Sequence, residues 1–216
     1  MLVRMLDVEG FILVGGASSR MGADKSQLAL EGRTSVERIA DAVRPIAEKI
    51  SVVGAYAAAA NQLPNVPDLH TGWGPLGGIH AALRAASAEW CVVVACDLPF
   101  VTSELLGRLV TFVDGVDAVV PVQADKYPQP LCAFYRRRPC LIAAEEAIAR
   151  DEHSPRALLD KVTTRYIEFD ELAALAGSEY FFFNVNTPEN YERAKEIVAG
   201  RDRTESDGEG IKETPQ

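Results

Sequence analysis

The chain has 216 residues, 48% of them hydrophobic and 25% charged, which is ordinary for a soluble globular protein and enough to bury one α/β-sized core. Its formal net charge of -9 argues against a duplex nucleic-acid partner, because phosphate neutralisation requires clustered Lys and Arg; a local basic pocket for a small phosphate ligand remains open. No apolar run approaches the roughly 20 residues that cross a bilayer, and MLVRMLDVEG at the start is too short and charged for a signal peptide.

Phe11–Val14 reads as a short apolar strand of the kind buried on both faces of a parallel sheet. Glycines 15 and 16 follow it, then Arg20, Gly22 and Lys25. Thr34–Ile46 carries apolar or small residues at helical spacing, and Ile50–Val53 reads as a second strand. Gly72–Gly78 is rich in Gly and Pro and reads as a loop before a helix over Ile79–Ser87. Trp90–Ala95 is the most apolar strand and ends in Cys96-Asp97. A helix is expected over Ser103–Phe112, capped by Thr102 or Ser103. Strands follow at Ala118–Val122 and Leu131–Tyr135, the latter at an antiparallel edge, with helices at Cys140–Arg150 and Pro155–Asp160. Strands at Tyr166–Phe169 and Phe181–Val185 precede a last helix, which Thr187-Pro188-Glu189 starts and which runs to about Val198. Residues 201–216 lack an apolar pattern and read as a disordered acidic tail.

This alternation predicts a three-layer α/β/α fold: a doubly wound, mostly parallel sheet with an antiparallel edge, forming a single domain over residues 1–200. Ligands of such sheets bind beyond the carboxyl ends of the strands, where the glycines and Asp97 both fall. Neither G-x-x-x-x-G-K-[ST] nor G-x-G-x-x-G fits the glycine stretch. A plain strand-to-helix turn explains two glycines by itself. Two cations in one short loop favour an anion, with Lys25 a point charge and Arg20 a fork. Asp97 is either a turn-capping residue or a ligand for Mg²⁺, a hard cation held by one or two carboxylates plus phosphate oxygens. The four cysteines (Cys91, Cys96, Cys132, Cys140) have neither C-x-x-C nor zinc-ligand spacing, which suits core thiols in a reducing, cytoplasmic setting. The three histidines (His70, His80, His153) are scattered and take no catalytic role.

LVGGASSRMGADK, residues 13–25, resembles the signature L-A-G-G-x-S-x-R-M-G-x-D-K of the nucleotidyltransferases that act on the molybdenum cofactor. GPLGGI (Gly74–Ile79), CDLPF (Cys96–Phe100) and NVNTPE (Asn184–Glu189) follow in the family's order. QPLCAFY (Gln129–Tyr135) is similar to the corresponding strand of the guanylyltransferase subgroup rather than the cytidylyltransferase one. The resemblance spans about residues 9–199. It implies a Rossmann-like nucleotidyltransferase that moves GMP from GTP to molybdenum-bound molybdopterin, with Mg²⁺, and releases pyrophosphate. It further implies a nucleotide-binding N-terminal half and a cofactor-binding C-terminal half. Leu13, Val14, Gly15 and Gly16 would line the nucleotide with main chain. Arg20 and Lys25 would meet its phosphates, and Asp68 and Gly77 would adjoin it. Asp97 would hold Mg²⁺, and Asn184 and Asn186 would face the metal and the cofactor phosphate. Arg156 is a candidate on the cofactor side, as is Arg136-Arg137-Arg138, although charge runs are usually solvated turns.

The sequence departs from the family in having Val14 where Ala is usual, and Gly54 where many members have an Asn that reaches the nucleotide. Three other readings stay open: a cytidylyltransferase for the same cofactor, a sugar- or cofactor-phosphate nucleotidyltransferase, and a non-catalytic adaptor. Partner proteins would be cofactor-delivery proteins or the target molybdoenzymes, with neither nucleic acid nor membrane.

Overall fold

In the computed structural model the described residues are 6–15, 29–54, 63–70 and 72–208, with backbone alone over 201–208. Gly16, Arg20 and Lys25 therefore lie outside the described residues.

A central sheet of seven strands carries the fold. Its first strand, β1 (Val8–Leu13), is followed by a small antiparallel hairpin of β2 (Ala29–Leu30) and β3 (Arg33–Thr34), then α1 (Ser35–Val43) and β4 (Lys49–Val53). Thr34 caps α1 with a reciprocal box: its hydroxyl accepts the Glu37 amide at 3.2 Å, and the Glu37 carboxylate accepts the Thr34 amide at 2.8 Å. Next come β5 (Asn65–Val66), α2 (Gly74–Ala85) and β6 (Trp90–Ala95). After them α3 (Ser103–Leu109), capped by Thr102, leads through a 3₁₀ turn at Val110–Phe112 to β7 (Ala118–Pro121) and β8 (Cys132–Arg136). The chain closes with α4 (Arg137–Ala149), α5 (Pro155–Leu159), β9 (Thr164–Ile167) and α6 (Pro188–Gly208).

The sheet order is β5-β4-β1-β6-β8-β7-β9. All neighbouring pairs are parallel except those that β8 makes with β6 and β7. Period-2 alternation sends successive side chains to opposite faces. Val92 and Val94 of β6 join one core with Val36, Ile39 and Val43 of α1 and Leu105, Leu106 and Leu109 of α3. Cys91 and Val93 join the other with Leu76, Ile79 and Leu83 of α2, Ala143, Ala144 and Ala147 of α4, and Leu158 of α5. These are the two helical layers of an α/β/α sandwich. A third cluster packs Ala194, Ile197 and Val198 of α6 with Leu30, Phe100 and Val185.

Four expectations are corrected. The Leu131–Tyr135 strand is antiparallel, but it lies inside the sheet between β6 and β7 rather than at an edge. The Gly- and Pro-rich stretch is not all loop: α2 begins at Gly74, with Pro at its start, where a missing N–H costs nothing. Phe181–Val185 forms no strand, because its apolar side chains fill two of the cores while Ser178–Tyr180 makes a 3₁₀ turn ahead of it. The last helix passes Val198 and continues to Gly208, into the stretch read as a tail.

Candidate active site

Three segments converge at the carboxyl ends of β1 and β6. The first is the end of β1. The Leu13 carbonyl accepts the Cys96 amide at 2.9 Å, so Leu13 and Asp97 are neighbours across two parallel strands. The Val14 amide donates to Val53 at 2.9 Å, which ties the other side of this strand end to β4. Gly15 then takes φ +113°, a backbone that L side chains rarely adopt, and among the described residues nothing lies within 4 Å of where its Cβ would be.

The second segment is the turn after β6. Asp97 is half-buried. Its carbonyl accepts the Val185 amide at 2.9 Å, and Val185 is buried with Phe100 in the third core. This draws the NVNTPE segment, distant in sequence, onto the Asp97 turn and sets Asn184 and Asn186 on either side of the anchoring bond. The Asn184 carboxamide also donates to the Phe182 carbonyl at 3.3 Å, and the Asn186 amide to the Asn190 side chain at 3.4 Å.

The third segment is the approach to α2. Asp68 accepts the His70 amide at 3.0 Å, and the His70 carbonyl accepts the Trp73 amide at 3.0 Å. A Cβ on Gly77 would come within 2.9 Å of the Trp73 Cβ and 3.3 Å of the His70 carbonyl, so glycine makes room for the turn before the helix, and the Asp68 carboxylate lies at contact distance, 3.5 Å. A Cβ on Gly78 would lie 3.0 Å from the Leu13 side chain, which locates this turn above the end of β1. The positive end of the α2 dipole thus faces the same space as Gly15 and Asp68.

Leu13, Val14, Gly15, Asp68, Gly77, Asp97, Asn184 and Asn186 are therefore brought to one end of the sheet. Arg156 is not tied to that group: its exposed guanidinium pairs with Asp160 one turn along α5, at 3.5 Å. The Arg136–Arg138 run sits at the other end of the sheet, where β6 begins. There Arg136 pairs with Glu89 at 3.1 Å and with Asp117 at 3.9 Å.

The histidines are not scattered. All three surround the Trp73 segment. The His153 imidazole stacks on the Trp73 ring at 4.1 Å and 11°, His70 lies 5.7 Å from Trp73, and His80 lies 5.0 Å from His70. His80 is buried, its Nδ1 lacks a hydrogen-bond partner among the described residues, and its Nε2 lies 4.0 Å from Glu145 of α4. Burial, with help from His70, pushes its pKa below the ordinary value against the pull of Glu145. Linear spacing held no signal for this grouping, since the residues come from two loops and a helix.

The α/β/α fold is that of a nucleotidyltransferase. Residues 10–166 match the family model of the MobA-like NTP transferase domain. The "Probable molybdenum cofactor guanylyltransferase" of Pelotomaculum thermopropionicum is 36% identical over 202 residues, 93% of this chain and 97% of the relative. The "Molybdenum cofactor guanylyltransferase" of Desulfosudis oleivorans is 32% identical over 209 residues, 90% of this chain and 98% of the relative. The crystal structure of molybdopterin-guanine dinucleotide biosynthesis protein A from Archaeoglobus fulgidus superposes with a TM-score of 0.76 at 30% identity, covering 89% of this chain and 99% of that one. The chain belongs to the MobA-like NTP transferase family.

Proposed function

We propose that the enzyme transfers GMP from GTP to molybdenum-bound molybdopterin, forming the guanine dinucleotide cofactor and releasing pyrophosphate. The observation that carries the reading is the Val185–Asp97 backbone bond, which joins the CDLPF and NVNTPE motifs, distant in the chain, at the strand end where β1 opens. The two relatives named above, matched over nearly their whole length, support guanine as the base.

The chemistry needs little general-base help. The acceptor is a phosphate monoester already ionised at neutral pH. Its oxygen forms a bond to the α-phosphorus of GTP, and the bond from that phosphorus to the β-bridging oxygen breaks, with its electron pair leaving on pyrophosphate. Rate then comes from bringing two anions together and stabilising charge as it moves. In this reading the backbone of Leu13, Val14 and Gly15 seats the nucleotide, and the α2 N-terminus and Gly77 approach it without side-chain hindrance. Asp68 accepts a hydrogen bond from it. Gly16, Arg20 and Lys25 complete the phosphate cradle.

The donors at the Asp97 turn suit Mg²⁺, since a half-buried carboxylate and two carboxamides offer hard oxygen ligands. Among the described residues no group of three or more His, Cys, Asp and Glu could hold a metal. Asp97 would thus be the main protein ligand, leaving the remaining positions to phosphate oxygens and water. When bound, the ion would neutralise charge on the transferring phosphate. Asn184 and Asn186 would orient the acceptor phosphate, and the C-terminal half, with Arg156, would receive the rest of that substrate. Delivery proteins and target molybdoenzymes would be the protein partners. Buried free thiols fit a reducing cytoplasm; no helix among the described residues is long and apolar enough to cross a membrane.

The test is pyrophosphate release with Mg²⁺ and molybdenum-loaded molybdopterin, supplying GTP, CTP, ATP and UTP separately. Release is expected with GTP alone, falling at least about 100-fold in Asp97→Ala with the fold intact. Release with CTP instead would move the protein to the cytidylyl subgroup. Silence with all four would leave another acceptor or the adaptor reading.

A further inference from the structure

The flat Trp73–His153 stack joins two segments that share no secondary structure. Trp73 immediately precedes α2 and closes the turn that carries Asp68: the Asp68 carboxylate holds the His70 amide, and the His70 carbonyl holds the Trp73 amide, both at 3.0 Å. His153 belongs to the connection between α4 and α5, and its Nε2 lies 3.3 Å from Asp151. Leu69 is exposed, and the His70 ring looks into a cavity of about 300 Å³ shared with His80, Arg84 and Glu145. A half-buried indole and an exposed imidazole, parallel within 11°, are not needed to close a core. Neither ring belongs to the clusters of buried side chains that form the cores.

We propose that Trp73 and His153 are positioning residues, whose stack clamps the Asp68 segment against the α4–α5 connection and so holds Asp68 in place for the nucleotide. This rests on the guanylyltransferase reading above. The clamp touches no reacting atom, so its loss raises the requirement for nucleotide without slowing the step that follows binding.

The experiment is calorimetric GTP binding, with GTP KM and kcat, on the full chain and on His153→Ala, His153→Phe and Trp73→Ala. His153→Ala and Trp73→Ala should raise the GTP Kd and KM about three- to tenfold, the size of effect that a ring pair supplies. kcat should stay within about twofold, and the thermal midpoint should hardly move. His153→Phe keeps a flat ring and should restore native affinity. GTP binding as tight in His153→Ala as in the native chain overturns the clamp, as does a loss confined to kcat or a Phe variant as weak as the Ala variant. If the native chain itself bound no GTP, the nucleotide reading would fall first and the clamp's role with it. The native control separates these two failures.

Discussion

At Gly54 the family resemblance leads an Asn to be expected, and the surroundings of the glycine explain what it does. It takes φ +111°, and a side chain there would run into the Val14 carbonyl oxygen. Its amide donates to Val66 at 3.0 Å, so the end of β4 is pinned between β5 and the end of β1. The glycine lets two strand ends close on each other just where the backbone must be placed for a ligand. Gly54→Ala should lose at least about 1–3 kcal/mol of stability from backbone strain alone. It should also raise the GTP KM by displacing Val14, and denaturant unfolding together with steady-state kinetics checks both. A variant as stable as the native chain would mean that the close approach is relaxed in solution. The sequence announced the departure at this position but not its reason, because φ and the distance to Val14 depend on pairing between β1, β4 and β5.

Among the elements, legibility followed the strength of the local signal. Trp90–Ala95 was read with its bounds unchanged, since six successive buried residues leave no solvent face to argue for a helix. The helix read over Thr34–Ile46 from its apolar spacing begins at Ser35, with Thr34 as its cap, and ends at Val43. Thr34→Ala should cost about 1 kcal/mol in denaturant unfolding, because the Glu37 amide loses its acceptor; no change would mean water replaces the hydroxyl at no loss. The start of α2 was misread for an instructive reason. Its glycines signal a loop by propensity, yet here they clear space for Trp73, the His70 carbonyl and Leu13 inside the first helical turns. Phe181–Val185 failed in the opposite way. Its apolar run suits a strand, but those side chains are consumed by packing in two of the cores, and its Val185 amide bonds the Asp97 carbonyl in the turn after β6. Tertiary demand overrode local pattern in both cases.

At the scale of the whole molecule, two ionisable groups at opposite ends of the sheet make the fold acid-sensitive. Burial pushes the Glu9 carboxyl up, but the Ser87 hydroxyl and amide and the Lys49 ammonium outweigh it, leaving the pKa below the ordinary 4.5. Its stabilisation is full above pH 4.5 and is lost as pH falls through the folded value. His80 is lowered from 6.5, so the unfolded chain takes up that proton first and stability declines as pH drops below 6.5. Urea midpoints should therefore be flat above pH 7, fall in a first stage below 6.5 that His80→Asn removes, and fall further below 4.5 in a stage that Glu9→Gln diminishes. A midpoint unchanged between pH 7 and 5 would contradict the burial of His80. The grouping of the histidines was invisible in the sequence, and the union of Asp97 with Asn184 and Asn186 was expected only through the family resemblance, not through spacing. Both are made by chain crossings and backbone bonds, and neither leaves a trace in spacing.

The reversed strand β8 has an electrical consequence. By running against its neighbours it returns the chain to the far end of the sheet, where the Arg137 amide bonds Glu89 at 2.8 Å. From there α4 climbs toward the ligand end, while α2 descends away from it to Ser87 and Glu9. Two adjacent helices thus present opposite poles to the same space: α2 its positive N-terminus beside Asp68, and α4 its negative C-terminus beside Leu69 and His70. Arg150 caps that negative pole, and His153 follows three residues later. A single inverted strand thereby divides the rim of the site into an anion-attracting half and a cation-attracting half, and it sets the Trp73–His153 contact on the border between them.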